Sequence, residues 1–173
     1  MCKIYYEGRW YGEKEVEENI MEYRAKISGL GIQPEEVTGL YLKRDAQMLF
    51  LIFALYDMGI AFLPLDIHVP KQRNDSIIRQ AEVTRVLADT ACDLDAEVVR
   101  VELLEHWTEE HITDSPVAYC IATSGTTGTP KIVQTGRRAF EFWMQDYAEF
   151  LKLKGAGSIL CMSEYLSLIH ISE

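Results

Sequence analysis

The densest chemistry in this chain lies in Ser124-Gly125-Thr126-Thr127-Gly128-Thr129-Pro130-Lys131, between the apolar run Val117-Ala118-Tyr119-Cys120-Ile121-Ala122 and the pair Ile132-Val133. Glycine accepts positive φ and lets a ligand approach the backbone, while the four hydroxyls and the ammonium add hydrogen-bond donors. A donor-rich turn between two strands is suited to cradling a polyphosphate. An ordinary flexible turn is the alternative that composition leaves open. The spacing of Gly125, Gly128 and Lys131 is not G-x-x-x-x-G-K-[ST]: Ile132 follows the lysine, where that loop requires a magnesium-holding hydroxyl. No G-x-G-x-x-G occurs either, so a Walker ATPase or kinase reading is disfavoured.

Other chemically capable residues are scattered. His68, His106, His111 and His170 form no metal-ligand spacing, and Cys2, Cys92, Cys120 and Cys161 contain no CxxC pair. A reducing, cytoplasmic compartment is expected. Cys120, inside an apolar strand, reads as a buried small hydrophobe, and Trp143 and Tyr147 as core residues of a helix. Arg44 is expected to pair with a nearby acid, and Asp66 to be architectural.

The elements that must position the loop follow from periodicity. Lys3 to Tyr6 reads as a strand that a turn at Glu7-Gly8 joins to Tyr11. Val16, Ile20, Tyr23, Ile27 and Leu30 recur at helical spacing, opposite Glu17, Glu18 and Glu22. Strands are expected over Val37 to Leu42, Ile60 to Leu63, Arg85 to Ala88, Val98 to Val101, Val117 to Ala122 and Ser158 to Met162. Helices are expected over Ala46 to Met58, with Asp45 as N-cap, over Lys71 to Glu82 with Ile77, Ile78 and Ala81 inward, and through Phe140, Trp143, Met144, Tyr147 and Leu151. Pro64 and Pro70 are expected to end regular structure. Alternating strands and helices predict an α/β fold, a parallel or mainly parallel sheet with helices on both faces. The loop then lies beyond the carboxyl end of a strand, where ligands of such sheets bind.

The 173 residues suffice for one domain, and 48% hydrophobic residues fit a globular class. A formal charge of -10 at pH 7 argues against a nucleic-acid partner, so an anionic substrate would need a local donor site. Met48 to Leu65 is largely apolar, but Asp57, Gly59 and Pro64 argue against a membrane span. The N-terminus carries neither the basic lead nor the apolar core of a secretory signal.

The segment Tyr119 to Lys131 closely resembles the signature of the acyl- and aminoacyl-adenylate-forming enzymes, the superfamily of acyl-CoA synthetases, luciferases and nonribosomal peptide synthetase adenylation domains. A second match stands upstream in correct order. Asp57-Met58-Gly59-Ile60-Ala61-Phe62-Leu63-Pro64-Leu65-Asp66, followed by Pro70 and Arg73, is similar to the family's aGa-x-x-P-l-D-x-x-x-P-x-x-R region, and Leu87-Ala88-Asp89 fits the next strand. The resemblance covers about residues 1 to 162 and implies the front part of the family's large N-terminal domain. It implies an ATP site in which Thr123, Ser124, Gly125, Thr126, Thr127, Gly128 and Lys131 lie over the β- and γ-phosphates. Thr126, Thr127 and Lys131 would touch phosphate, Gly125 and Gly128 would free the backbone, and Pro130 would shape the exit turn. Two positions depart from the family: Ile132 replaces a glycine, and Arg137 replaces a histidine. Arg137 would supply a cation or cap the next helix.

The implied parent is an ATP- and Mg2+-dependent ligase that joins a small carboxylate, such as an amino acid, to AMP with release of pyrophosphate, then passes the acyl group to a CoA or carrier-protein thiol. The form Leu63-Pro64-Leu65-Asp66 favours the peptide-synthetase branch. The family's downstream motifs are not found here, so the chain is expected to be a truncated domain over 1–165, inactive alone, with a non-native tail over 166–173. The alternative is a noncatalytic α/β nucleotide-binding or interaction fragment.

Overall fold

The computed structural model describes residues 3–123 and 130–150. The expected strand at Ser158 to Met162 and the tail at 166–173 lie outside the described residues, as do loop positions 124–129.

A hairpin of β1 (Ile4–Tyr6) and β2 (Arg9–Tyr11) precedes α1 (Glu13–Ser28). Then follow β3 (Val37–Tyr41), α2 (Ala46–Asp57), β4 (Ala61–Pro64), α3 (Lys71–Gln80), β5 (Arg85–Ala88), β6 (Glu97–Arg100), β7 (Val117–Thr123), β8 (Lys131–Gly136) and α4 (Arg137–Phe150). The main sheet has the order β6-β5-β3-β4-β7-β8. Every neighbouring pair is parallel except β7 and β8. The mainly parallel form of the expectation therefore holds, with β8 antiparallel at the end of the order among the described residues.

Both faces are covered, because successive side chains of a strand point to opposite sides. Leu40, Phe62 and Leu87 pack with Leu51 and Leu55 of α2 and Ile27 of α1. Leu63, Val86 and Cys120 pack on the other face with Ile77 and Ile78 of α3. α2 lies between the sheet and α1, which explains why its apolar residues do not keep to one stripe. Asp45 caps it as expected: its carboxylate accepts from the amides of Gln47 at 2.9 Å and Met48 at 3.1 Å.

One expectation holds with the strand ending one residue later, and one needs correction. Pro64 is the last residue of β4, opposite Leu40, and Leu65 N–H still donates to Leu40 O at 2.8 Å. Alternation points the proline's missing N–H away from β3, so the pairing survives it. Trp143 and Tyr147 are not core: they are 41% and 43% exposed and stack on each other with centroids 4.9 Å apart. Among the described residues α4 packs on the sheet at β7 and β8, with Phe140 turned toward Tyr119 and Tyr56.

A close backbone approach sets the end of α2. Gly59 has φ +72°, and a Cβ there would lie 2.1 Å from Thr113 O. Thr113 N–H donates to Met58 O at 2.8 Å and Ser115 N–H to Gly59 O at 3.0 Å, while the buried Thr113 hydroxyl donates to Gly59 O at 2.7 Å. This knot delivers the chain into β7.

Candidate functional site

β7 and β8 hold the glycine-threonine loop as the closed end of an antiparallel hairpin. Their register pairs Ile121 with Val133, Ala122 with Ile132 and Thr123 with Lys131. Of the expected phosphate-binding residues, the structure therefore brings Thr123 and Lys131 opposite each other. The Thr123 hydroxyl donates to Lys131 O at 3.3 Å, and the Lys131 side chain is exposed. Ser124, Gly125, Thr126, Thr127 and Gly128 lie outside the described residues. Pro130 is buried beside the pair. Ile132 is a strand residue packed against the cluster of Leu63, Val86 and Cys120. At the family's glycine position this chain thus contributes a core contact.

β3, β4, β5 and β7 run parallel, so their carboxyl ends share one edge with the loop. That edge carries a polar lock. Arg44, after β3, pairs with Asp66, after β4, at 3.1 Å. The other Asp66 oxygen accepts from His68 N–H at 2.8 Å, and the buried Asn74 amide donates to Asp66 O at 2.9 Å. Asp66 is thereby committed to architecture, as expected from sequence. Next to it, Asp89 accepts from Lys43 N–H at 3.0 Å, tying β5 to β3. An open cleft of about 450 Å³ lies between the β1–β2 hairpin and the start of α2, lined among others by Arg9, Lys43 and Gln47. None of its described lining residues belongs to β7 or β8.

The buried carboxylate Asp75 is a further polar centre, not among the residues expected from sequence. Lys71 Nζ donates to it at 2.9 Å and Asp95 N–H at 3.0 Å. The Lys71 hydrogen bond holds its carboxyl below the usual aspartate range, against the opposing effect of burial. The i, i+4 spacing of Lys71 and Asp75 was the available signal. Burial pushes the Cys120 thiol up to about 11, which leaves it a protonated core group and no nucleophile. Among the described residues no group of three or more His, Cys, Asp or Glu is arranged to hold a metal ion.

This sheet and its hairpin have the fold of the N-terminal subdomain of adenylate-forming enzymes. The chain belongs to the AMP-binding enzyme family, whose model matches residues 2–172. It is 32% identical over 169 residues to the nonribosomal peptide synthetase sidE of Aspergillus fumigatus, covering 90% of this chain and 8% of that protein. Among solved structures it resembles o-succinylbenzoate coenzyme A synthetase (MenE) of Bacillus subtilis in complex with ATP and magnesium ion, with TM-score 0.66, 16% identity, and coverage of 84% of this chain and 42% of that one. The four-domain nonribosomal peptide synthetase holo-AB3403, bound to AMP and glycine, gives TM-score 0.68 at 21% identity over 83% of this chain and 11% of that one. The chain thus spans only a small part of its curated relative. Among the described residues no helix is long and apolar enough to cross a membrane.

Proposed function

We propose that this chain is the ATP-phosphate-handling part of a carboxylate-activating ligase of the peptide-synthetase branch. In the reaction a carboxylate oxygen bonds to the α-phosphorus of ATP, the bond to the bridging oxygen breaks, and pyrophosphate leaves with the electron pair. The thiol of CoA or a carrier protein then attacks the carbonyl of the acyl- or aminoacyl-adenylate, forming a thioester as the acyl–phosphate bond breaks and AMP leaves. The observation that carries the reading is the Thr123–Lys131 hairpin mouth at the carboxyl edge of the sheet, in a chain of the AMP-binding family.

Chemically, the loop fits polyphosphate. Lys131 is an exposed ammonium at the first position of β8, and Thr123 places a hydroxyl across from it. With Ser124, Thr126, Thr127 and the amides freed by Gly125 and Gly128, they would bind the β- and γ-phosphates and steady pyrophosphate as it departs. Bound ATP would bring its magnesium ion, which neutralises phosphate charge. The kinship to sidE supports an amino-acid substrate over other carboxylates.

Calorimetry with ATP and Mg2+ tests this directly. The intact chain should bind, and Lys131→Ala should weaken binding by about tenfold, the worth of one charge-assisted hydrogen bond. Indistinguishable weak or absent binding in both proteins would refute the phosphate role and leave only a structural fragment. Pyrophosphate exchange with a panel of carboxylates, on the protein that carries this segment, tests the ligase reaction.

A further inference from the structure

Arg137 is the first residue of α4, at the end of the hairpin opposite the loop. β8 has six residues, Lys131–Gly136. At about 3.3 Å per residue, Arg137 stands roughly 20 Å along the strand from Lys131. No side chain spans that distance, so Arg137 does not share a phosphate group with the Lys131 ammonium.

Its guanidinium is engaged elsewhere. Nη1 donates to Tyr56 O at 3.1 Å, in the last turn of α2, and Nε donates to Ser115 O at 3.2 Å, just before β7. The guanidinium carbon sits 4.8 Å from the centroid of the Tyr56 ring, and Arg137 N–H donates to Pro116 O at 2.8 Å. A cation at the C-terminal end of a helix also meets the negative end of its dipole. Tyr56 is gripped further by α4: its hydroxyl donates to Glu141 at 3.4 Å, and its ring meets Phe140 edge-on at 5.6 Å.

These bonds fall where the hairpin needs them. The β7–β8 register shifts between Val117 and Tyr119, next to the residues that Arg137 holds. A one-residue slip of a strand turns every side chain to the other face. Among the described residues β8 pairs only with β7, and Lys131, Val133, Gln134 and Gly136 are all exposed, so few buried contacts on β8 itself oppose such a slip. We propose that Arg137 is the positioning residue of the hairpin: by fastening Ser115 and Pro116 to α2, it selects the register that sets Thr123 opposite Lys131 and Ile132 toward the core. The role requires two donors in a fixed fork over an aromatic ring. Lysine, a point charge, and histidine, with its shorter reach, cannot reproduce it.

The test is site-resolved amide hydrogen exchange on the full chain with Arg137→Gln and Arg137→Lys. Both variants should speed exchange at Ile132 to Thr135 by about tenfold or more, as expected from losing a charged hydrogen bond, while β3 and β4 amides keep their rates. Should Arg137→Gln fail to fold, Arg137→Lys, which keeps the charge at the helix end, carries the same comparison. Unchanged β8 rates, or a uniform rise across all strands, would overturn the proposal. The Tyr56 phenol gives a second readout by carbon NMR. Burial and Glu141 raise its pKa while Arg137 lowers it, so Arg137→Gln should raise it further. The consequence for the loop rests on the nucleotide reading: ATP affinity should fall in both variants. If wild type binds no ATP, that reading fails, and the exchange experiment still decides the register role.

Discussion

Replacing Gly59 by alanine tests the junction that delivers the chain into β7. Gly59 has φ +72°, and a Cβ there would lie 2.1 Å from Thr113 O and 2.8 Å from Thr113 C, both backbone atoms. The left-handed conformation alone costs alanine roughly 1–2 kcal/mol. Relieving the clash requires the Thr113–Ser115 segment to move away, which gives up Thr113 N–H to Met58 O, Ser115 N–H to Gly59 O and the buried Thr113 hydroxyl bond to Gly59 O. At about 1 kcal/mol for each hydrogen bond, the total loss is on the order of 4 kcal/mol. That is a large share of the 5–15 kcal/mol typical of a domain. Gly31→Ala is the matched control, since Gly31 has φ +56° but nothing within 4 Å of its added Cβ. It should cost only the conformational 1–2 kcal/mol. Urea denaturation of the three proteins, at equal slope, measures the difference. Gly59→Ala unfolding within about 1 kcal/mol of Gly31→Ala would refute the close-approach argument.

Further outcomes follow from the polar and thiol groups. The folded-state pKa of Asp75 lies below its unfolded value, so its contribution to stability is present above the ordinary aspartate range and is lost as pH falls through the folded pKa. Asp75→Asn should therefore flatten the acid limb of the stability profile below about pH 4, measured by denaturation at stepped pH. An unchanged limb would count against the Lys71 pairing. Cys120, held near 11 and buried, should resist alkylation at pH 8 in the native chain and react on unfolding, read at that site by peptide mass spectrometry. Native labelling at the rate of a free thiol would show that β7 opens. At the hairpin mouth, Lys131→Ala should lower ATP affinity without lowering the denaturation midpoint, because its side chain is exposed; a matching loss of stability would mark the lysine as structural.

Local pattern determined much of this protein. The alternation of short β-rich runs with helical periods predicted the order of strands and helices, because each element's period is set by its own backbone. Asp45 before an apolar helix identified the cap, since capping needs only residues two and three positions away. The glycines, hydroxyls and lysine of the loop, with the Pro64-Leu65-Asp66 segment upstream, were enough to indicate the family to which the chain belongs. Tertiary structure alone decided the rest. Helical spacing could not tell that Trp143 and Tyr147 would stay exposed, because a period defines a face and says nothing of whether another layer covers it. The partners of Asp75 and Asp66 include groups distant in sequence, so their burial and bonding had no complete local signature. Arg137 read equally well as a cation for a ligand or as a helix end. Its role depended on β8 running antiparallel, which carries it away from the loop and onto Tyr56 and Ser115.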